Sequence, residues 1–272
     1  MLSIIVSWRD REQLSDALPS LVEAVELLDG EVVIVNFSGS DELLKTQLKN
    51  ANDRVSVVKV SEQAYFNKAA AQNTGASVAK NPILFFCDCD IILNPTDIVD
   101  LVNQLNSQEQ VFATLAGVKE TEVNSRGGNH VVSFGYELNI RTADGRHLQI
   151  IDNEEDAENG TRQAPGLLLV KKSDFIAING YNNQLHGWGW EDQDMISRLT
   201  LGQGLTRICS GTALHISHDD KARIAFYPEV NSRWESRDRM FRTALANYDQ
   251  ANFMGSYDKD IAALNIARVK YD

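Results

Sequence analysis

Phe85-Phe86-Cys87-Asp88-Cys89-Asp90 is an apolar strand that closes on two carboxylates one residue apart. A strand buried on both faces carries apolar side chains throughout. Two aspartates at its carboxyl end therefore cost stability unless negative charge is needed there. In open α/β sheets, ligands bind just outside the carboxyl ends of the strands. A D-x-D at that place suits a divalent cation held against phosphate oxygens. The competing reading is a solvated turn, helped by Asn94-Pro95.

Toward the start of the chain, strands and helices alternate. Leu2–Trp8, Glu31–Phe37 and Val55–Val60 read as strands, and Ile83–Cys87 is the fourth. Between them, Arg11–Leu28 carries Leu14, Leu18, Leu21, Val22, Val25 and Leu28 near helical period. Shorter helices are expected near Leu43–Leu48, over the alanine-rich Asn67–Ala79, and over Asp97–Leu105. This alternation predicts a mostly parallel α/β sheet with helices on both faces. Farther on, Val111–Val118, Val131–Leu138, Leu167–Val170 and Thr212–Ile216 read as strands. Polar Lys119–His130 and the acidic, turn-rich residues 152–160 read as excursions. After His218 the chain turns polar and helical, and Arg233–Tyr248 is expected to pack on the main body. The division expected is residues 1–230 as the catalytic domain and 231–272 as a helical C-terminal extension.

The 272 residues are 43% hydrophobic and carry a formal charge of −12, which speaks against a nucleic-acid surface. No 18-residue apolar run suggests a membrane span. Met1 to Val6 is too short for a signal peptide. Cys87, Cys89 and Cys209 show no C-x-x-C spacing and read as small buried strand residues in a reducing, cytoplasmic setting.

Gly187-Trp188-Gly189-Trp190-Glu191-Asp192-Gln193-Asp194 is a second informative stretch. The glycines allow a tight turn and close ligand approach. The tryptophans offer flat surfaces that stack on sugar rings. Acids are favoured at a helix start by the macrodipole, but that does not account for the tryptophan–glycine run. A carboxylate here could take a proton from a hydroxyl nucleophile. Successive helix residues point about 100° apart, so Glu191 and Asp192 should divide roles. Two of the five histidines fall in His215-Ile216-Ser217-His218. Imidazoles at this spacing, with a carboxylate, suit Mn²⁺, Fe²⁺, Co²⁺ or Zn²⁺ if the chain turns between them. His130 and His147 read as surface residues, and His186 lacks such company.

In this order, the stretches resemble inverting nucleotide-sugar glycosyltransferases of the GT-A, Rossmann-like fold. The likeness is greatest to β-1,4-galactosyltransferases and to bacterial chondroitin-polymerase and capsule-type transferases. It rests on Phe66-Asn67-Lys68-Ala69 with Asn73-Thr74-Gly75, on Phe85–Asp90, on Ile178-Asn179-Gly180-Tyr181 with Gly187–Asp192, and on His215 to His218. It covers roughly residues 2 to 220. The resemblance implies metal binding by Asp90, His215 and His218, with Mn²⁺ as the cofactor and Mg²⁺ as its substitute. It implies Asp192 as the base, with Glu191 beside it. It places Asp88 near the ribose, and Ser7, Arg9 and Arg11 near the uridine. Asn36, Asn67, Lys68, Asn73, Trp188, Gly189 and Trp190 complete the expected substrate-binding set. The departures are Asn36 in place of an aspartate, Gln193 in place of an acid, and Trp190 in place of a glycine.

The activity this implies is metal-dependent transfer of a hexose or N-acetylhexosamine from a UDP-sugar to a saccharide hydroxyl, with inversion. The implied setting is capsule, lipopolysaccharide or other surface-glycan synthesis, in the cytoplasm or at the inner face of the membrane beside membrane-bound assembly machinery. Two other classes compete. A nucleotide-sugar hydrolase or pyrophosphorylase would use the same sheet. A pyrophosphorylase, however, would show a glycine- and lysine/arginine-rich loop where Ser7-Trp8-Arg9-Asp10 stands. A carbohydrate-binding module could use Trp188 and Trp190, but would not need a D-x-D and an H-x-x-H.

Overall fold

A computed structural model describes residues 1–123, 135–153, 155–156 and 158–271. Four parallel strands form its centre: β1 (Leu2–Trp8), β2 (Glu31–Phe37), β3 (Val55–Val60) and β4 (Ile83–Asp88). They are joined by helices α1 (Leu14–Leu27), α2 (Asp41–Gln47) and α3 (Lys68–Val78). The expected first helix thus begins three residues later than its periodicity suggested. Side-chain oxygens start two of these three helices: Ser40 accepts from the Leu43 amide and Asn67 from the Ala70 amide.

After β4 come β5 (Ile91–Leu93), α4 (Pro95–Ser107), β6 (Val111–Thr114), β7 (Gly117–Glu120), β8 (Gly135–Arg141), β9 (His147–Asn153), β10 (Thr161–Arg162) and β11 (Leu168–Lys171). Then follow α5 (Lys172–Ala177), α6 (Glu191–Ser197), a π-helical turn (Arg198–Gly202), β12 (Thr206–Cys209) and β13 (Thr212–His215). The remaining elements are α7 (Asp220–Ile224), α8 (Arg233–Asp249), α9 (Tyr257–Ala263) and β14 (Ile266–Val269).

The large sheet runs β12-β6-β11-β4-β1-β2-β3-β14. Alternation along its strands separates two cores. Ile4, Val6, Trp8, Phe85 and Cys87 face α1 and α4. Ile5, Leu84 and Phe86 face α3, α5 and α6, together with Phe175, Met195 and Ile196. Each fully buried Leu, Ile, Val or Phe contributes about 1.5–3 kcal/mol. Gly75 lets α3 lie close on the sheet, since a Cβ there would stand 2.3 Å from Ile5 Cγ2.

The chain leaves β1 toward β2 and β3, then returns to β4 on the other side of β1. That reversal opens a crevice at the carboxyl ends of β1 and β4, where Ser7 lies directly opposite Asp88. A second sheet, β10-β7-β13-β5, stands beside it. In it His215 is opposite both Ile91, the residue after Asp90, and Glu120.

Several local expectations change. Val111–Val118 is two strands in different sheets. The break falls where the Leu115 amide bonds Leu167 O and the Ala116 amide bonds Gly211 O. The acidic stretch from residue 152 is not wholly an excursion: Asp152 belongs to β9, and Glu155 is buried. Of the strand expected over Val131–Leu138, Gly135–Leu138 lies in β8, while residues 131–134 and His130 fall outside the described residues. Cys87 and Cys89 are buried, but Cys209 is exposed. The C-terminal segment carries α8 where a helix was expected over Arg233–Tyr248, and adds α9 and β14, the latter antiparallel to β3 at the edge of the large sheet.

Candidate active site

The strand ends of β1 and β4 and the turn before α6 open onto one cleft. Thirteen of the sequence-selected residues line it: Ser7, Arg9, Arg11, Lys68, Asp88, Asp90, Trp188, Gly189, Trp190, Glu191, Asp192, His215 and His218. Asn36, Asn67 and Asn73 do not line it. Asn36 is buried and ties the turn after β2, bonding Gly39 and Asp41. Asn67 caps α3 and bonds Asn183 O. Asn73 is buried against Tyr181 and Asp260.

At one end of the cleft, Asp90 meets the two histidines. His218 Nε2 lies 3.2 Å and His215 Nε2 3.6 Å from Asp90 Oδ2. The second sheet makes this possible, because the Ile216 amide bonds Asp90 O at 2.8 Å directly after β13. Burial opposes charge on Asp90, yet the two imidazoles hold its carboxyl well below the usual range. Donor atoms of the three residues lie within 4.8 Å of one another, and Asp90 Oδ1 has no hydrogen-bond partner. One carboxylate and two imidazoles suit a divalent transition metal, so the trio could hold such an ion. Arg11 lies against it, with Nη2 2.8 Å from His218 Nε2 and 3.3 Å from Asp90 Oδ2.

In the middle stands Lys68, in the first turn of α3. Its Nζ lies 2.8 Å from Asp88 Oδ1, 3.3 Å from Glu191 Oε1 and 3.5 Å from Asp192 Oδ2. Burial works against the ammonium, but Asp192, Asp88 and Glu191 keep its proton bound well above the ordinary lysine range. Asp192 behaves oppositely. Burial raises its carboxyl, Lys68 pulls it back, and Glu191 and Asp88 raise it again, leaving it at about 8. Gly166 leaves room for this carboxylate, since a Cβ there would be 2.6 Å from Asp192 Oδ2. Buried Ser7 Oγ and Glu191 Oε2 also lack partners. Buried polar atoms are nearly always bonded, so orphaned oxygens on Ser7, Asp90 and Glu191 around one cleft indicate a polar ligand.

The two tryptophans differ. Trp188 has Arg223 and Arg233 over its ring at 5.9 and 5.8 Å. Trp190 is 5% exposed and packs edge-on against Phe241, with ring centroids 4.5 Å apart. Although it touches the cleft wall, most of its ring belongs to a small core with Leu185, Met240 and Ala244. It also starts α6 at φ 73°, a conformation that costs a non-glycine residue of order 1–3 kcal/mol and gathers at functional sites.

Sequence reading missed Gly166, Tyr227, Arg233 and Arg237, which also line the cleft. Pro165-Gly166 before a strand was a usable signal for the first. The arginines sit at i and i+4 on α8, a visible spacing with no visible target.

Arg9 bonds Gln63 O and Ala64 O and lies 5.7 Å over Phe226. Among the described residues, no helix is long and apolar enough to cross a membrane.

The sequence profile of glycosyl transferase family 2 matches residues 3–156, and that of the N-terminal domain of galactosyltransferase matches residues 148–219. The chain is 25% identical over 255 residues to polypeptide N-acetylgalactosaminyltransferase 6 of Bos taurus, covering 88% of this chain and 40% of that protein. The human protein of that name is 28% identical over 191 residues, covering 62% and 29%. Validoxylamine A glucosyltransferase of Streptomyces hygroscopicus subsp. jinggangensis (strain 5008) is 24% identical over 225 residues, covering 73% and 51%. The chain thus spans about half or less of each relative's length.

Proposed function

The chain belongs to glycosyl transferase family 2, and from that membership we propose that it moves a hexose or N-acetylhexosamine from a UDP-sugar to a saccharide hydroxyl, with inversion. One observation carries the reading: Asp88–Asp90, the histidine pair and the Glu191–Asp192 helix start face one cleft at the reversal of the sheet. The names of the relatives, an N-acetylgalactosaminyltransferase and a glucosyltransferase, support the donor class.

Asp90, His215 and His218 would hold Mn²⁺, with Mg²⁺ as the alternative. When bound there, the cation supplies Lewis-acid neutralisation of the diphosphate leaving group. Ser7, Arg9, Arg11 and Asp88 would bind the nucleotide at the ends of β1 and β4. Trp188 would take a sugar face. Asp192 accepts the proton of the acceptor hydroxyl as that oxygen bonds the anomeric carbon. The bond from that carbon to the phosphate oxygen breaks, and its electron pair leaves with UDP. Lys68 bridges Asp88, Glu191 and Asp192 and fixes the direction of the base. On the likeness to capsule-type transferases, we assign the acceptor to a surface glycan such as capsule or lipopolysaccharide, elongated at the cytoplasmic face of a membrane.

The test is UDP release from a panel of UDP-sugars, with and without Mn²⁺ and a saccharide acceptor. Release should need both. Asp192→Asn keeps the shape and removes the basicity, so turnover should fall about 10²–10⁴-fold with donor binding nearly unchanged. Parental turnover in that variant, or retention of the donor's anomeric configuration, would overturn the mechanism.

A further inference from the structure

Glu120 is an acid that the reaction above does not use. It ends β7, its side chain is 1% exposed, and it does not line the cleft. Burying a carboxylate is costly unless it is fully paired, and here both oxygens are engaged. Oε2 accepts from His215 Nδ1 at 2.6 Å and from Ser217 Oγ at 2.8 Å. Oε1 accepts from Arg162 Nε at 2.7 Å. Arg162 is itself pinned, because β10 pairs with β7. The parallel register of β7 and β13 sets Glu120 directly opposite His215.

A histidine has two ring nitrogens, and the hydrogen bond made by one decides which is left to bind. A hydrogen bond donated by Nδ1 to Glu120 leaves the lone pair on Nε2. That nitrogen is the one 3.6 Å from Asp90 Oδ2, beside an Asp90 Oδ1 that has no partner. We infer that Glu120 is a positioning residue: it locks the tautomer and ring plane of His215 so that Nε2 is presented to the cation shared with Asp90 and His218. The inference rests on the cation site proposed above. Arg162 stops the carboxylate from rotating, and Ser217 adds a second donor to the oxygen that holds the ring. The arrangement is a carboxylate–imidazole–metal relay built across two strands of the second sheet.

Two measurements test it. Ring-nitrogen NMR shifts of ¹⁵N-histidine-labelled parent protein, recorded at a pH where the His215 imidazole is neutral, should show its single proton on Nδ1; a single proton on Nε2 overturns the inference whatever any variant does. Mn²⁺ affinity, measured by electron paramagnetic resonance of the free ion with saturating UDP, should fall about 10–100-fold in Glu120→Gln. In a His215→Ala background the same substitution should cost nothing further, because its effect passes through the imidazole. A parent that binds no Mn²⁺ overturns the cation site and the relay together. A parent that binds Mn²⁺, with Glu120→Gln binding equally well, overturns the relay alone. An equal loss in the His215→Ala background shows a merely structural acid, and also overturns it.

Discussion

Asp192 and Lys68 show how strongly one residue's chemistry depends on its company. Burial pushes the Asp192 carboxyl up to about 8, because Lys68, shared within 3.5 Å among three carboxylates, only partly pulls it back and Glu191 and Asp88 raise it further. A base works only when deprotonated. The acceptor kcat/KM should therefore climb as pH rises through a limb near 8. Glu191→Gln removes a neighbouring negative charge and should move that limb to lower pH. A pH–rate profile of parent and variant checks both, and a limb that stays put in Glu191→Gln counts against Asp192 as the titrating group. The acids of this centre were legible in the sequence because charge at the end of a greasy strand or beside a tryptophan–glycine turn is costly without a purpose. Asn36, Asn67 and Asn73 stand outside the cleft lining, and an asparagine that ties a turn, caps a helix or bonds a neighbouring backbone has the same local signature as one that binds a ligand. Glu120 gave no signal, since its partner lies 95 residues away.

Helix α6 opens with three acids that divide between two cations. Glu191 and Asp192 turn to Lys68 and the cleft. Asp194, 1% exposed, takes Arg198 Nε at 2.7 Å and the Tyr248 hydroxyl at 2.8 Å. Arg198, equally buried, donates from Nη1 to Gly180 O at 2.6 Å. One buried ion pair thus ties α6 and the π-helical turn to the Gly180 turn and to α8. Asp194→Ala would strand a guanidinium in the core, and breaking such a pair costs about 3–5 kcal/mol. Urea unfolding should show that loss as a lower midpoint at constant slope, while Asp192→Asn leaves the midpoint nearly in place. A midpoint for Asp194→Ala within error of the parent would show the pair to be dispensable. Elements of the first 105 residues were readable because a two-residue period, a 3.6-residue period and capping residues agree there. The switch from β6 to β7 was not readable, because the chain changes sheets within an apolar run interrupted by only Thr114 and Gly117. The second sheet, which carries His215 to Asp90, is built from short strands that acquire meaning only through their register.

Across the whole molecule, a net charge of −12 coexists with a cleft into which Arg9, Arg11, Lys68, Arg162, Arg223, Arg233 and Arg237 converge. Composition spoke against a basic outer surface and could not reveal that so many cations gather in one cleft beside Asp88, Asp90, Asp152, Glu191 and Asp192. The cleft also draws on distant parts of the chain: β1 and β4 give it a floor, and α8 gives it Arg233 and Arg237. The edge of the large sheet is assembled in the same long-range way. β14 lies on β3 with Ile266 opposite Val60 and Val269 opposite Val57, and Tyr271 donates its hydroxyl to Asp41. Without that strand, β3 would present a row of unsatisfied amides and carbonyls flanked by Val55, Val57, Val58 and Val60. An open edge of this kind templates pairing with other copies. A chain shortened to residue 265 should therefore self-associate, read as concentration-dependent light scattering that the parent lacks; a shortened chain that stays monomeric at the same concentrations would disprove this. The four residues Ile266–Val269 then serve solubility as much as architecture. During synthesis β3 is made well before its partner strand, so a nascent copy must keep its valine edge from other chains until those four residues emerge.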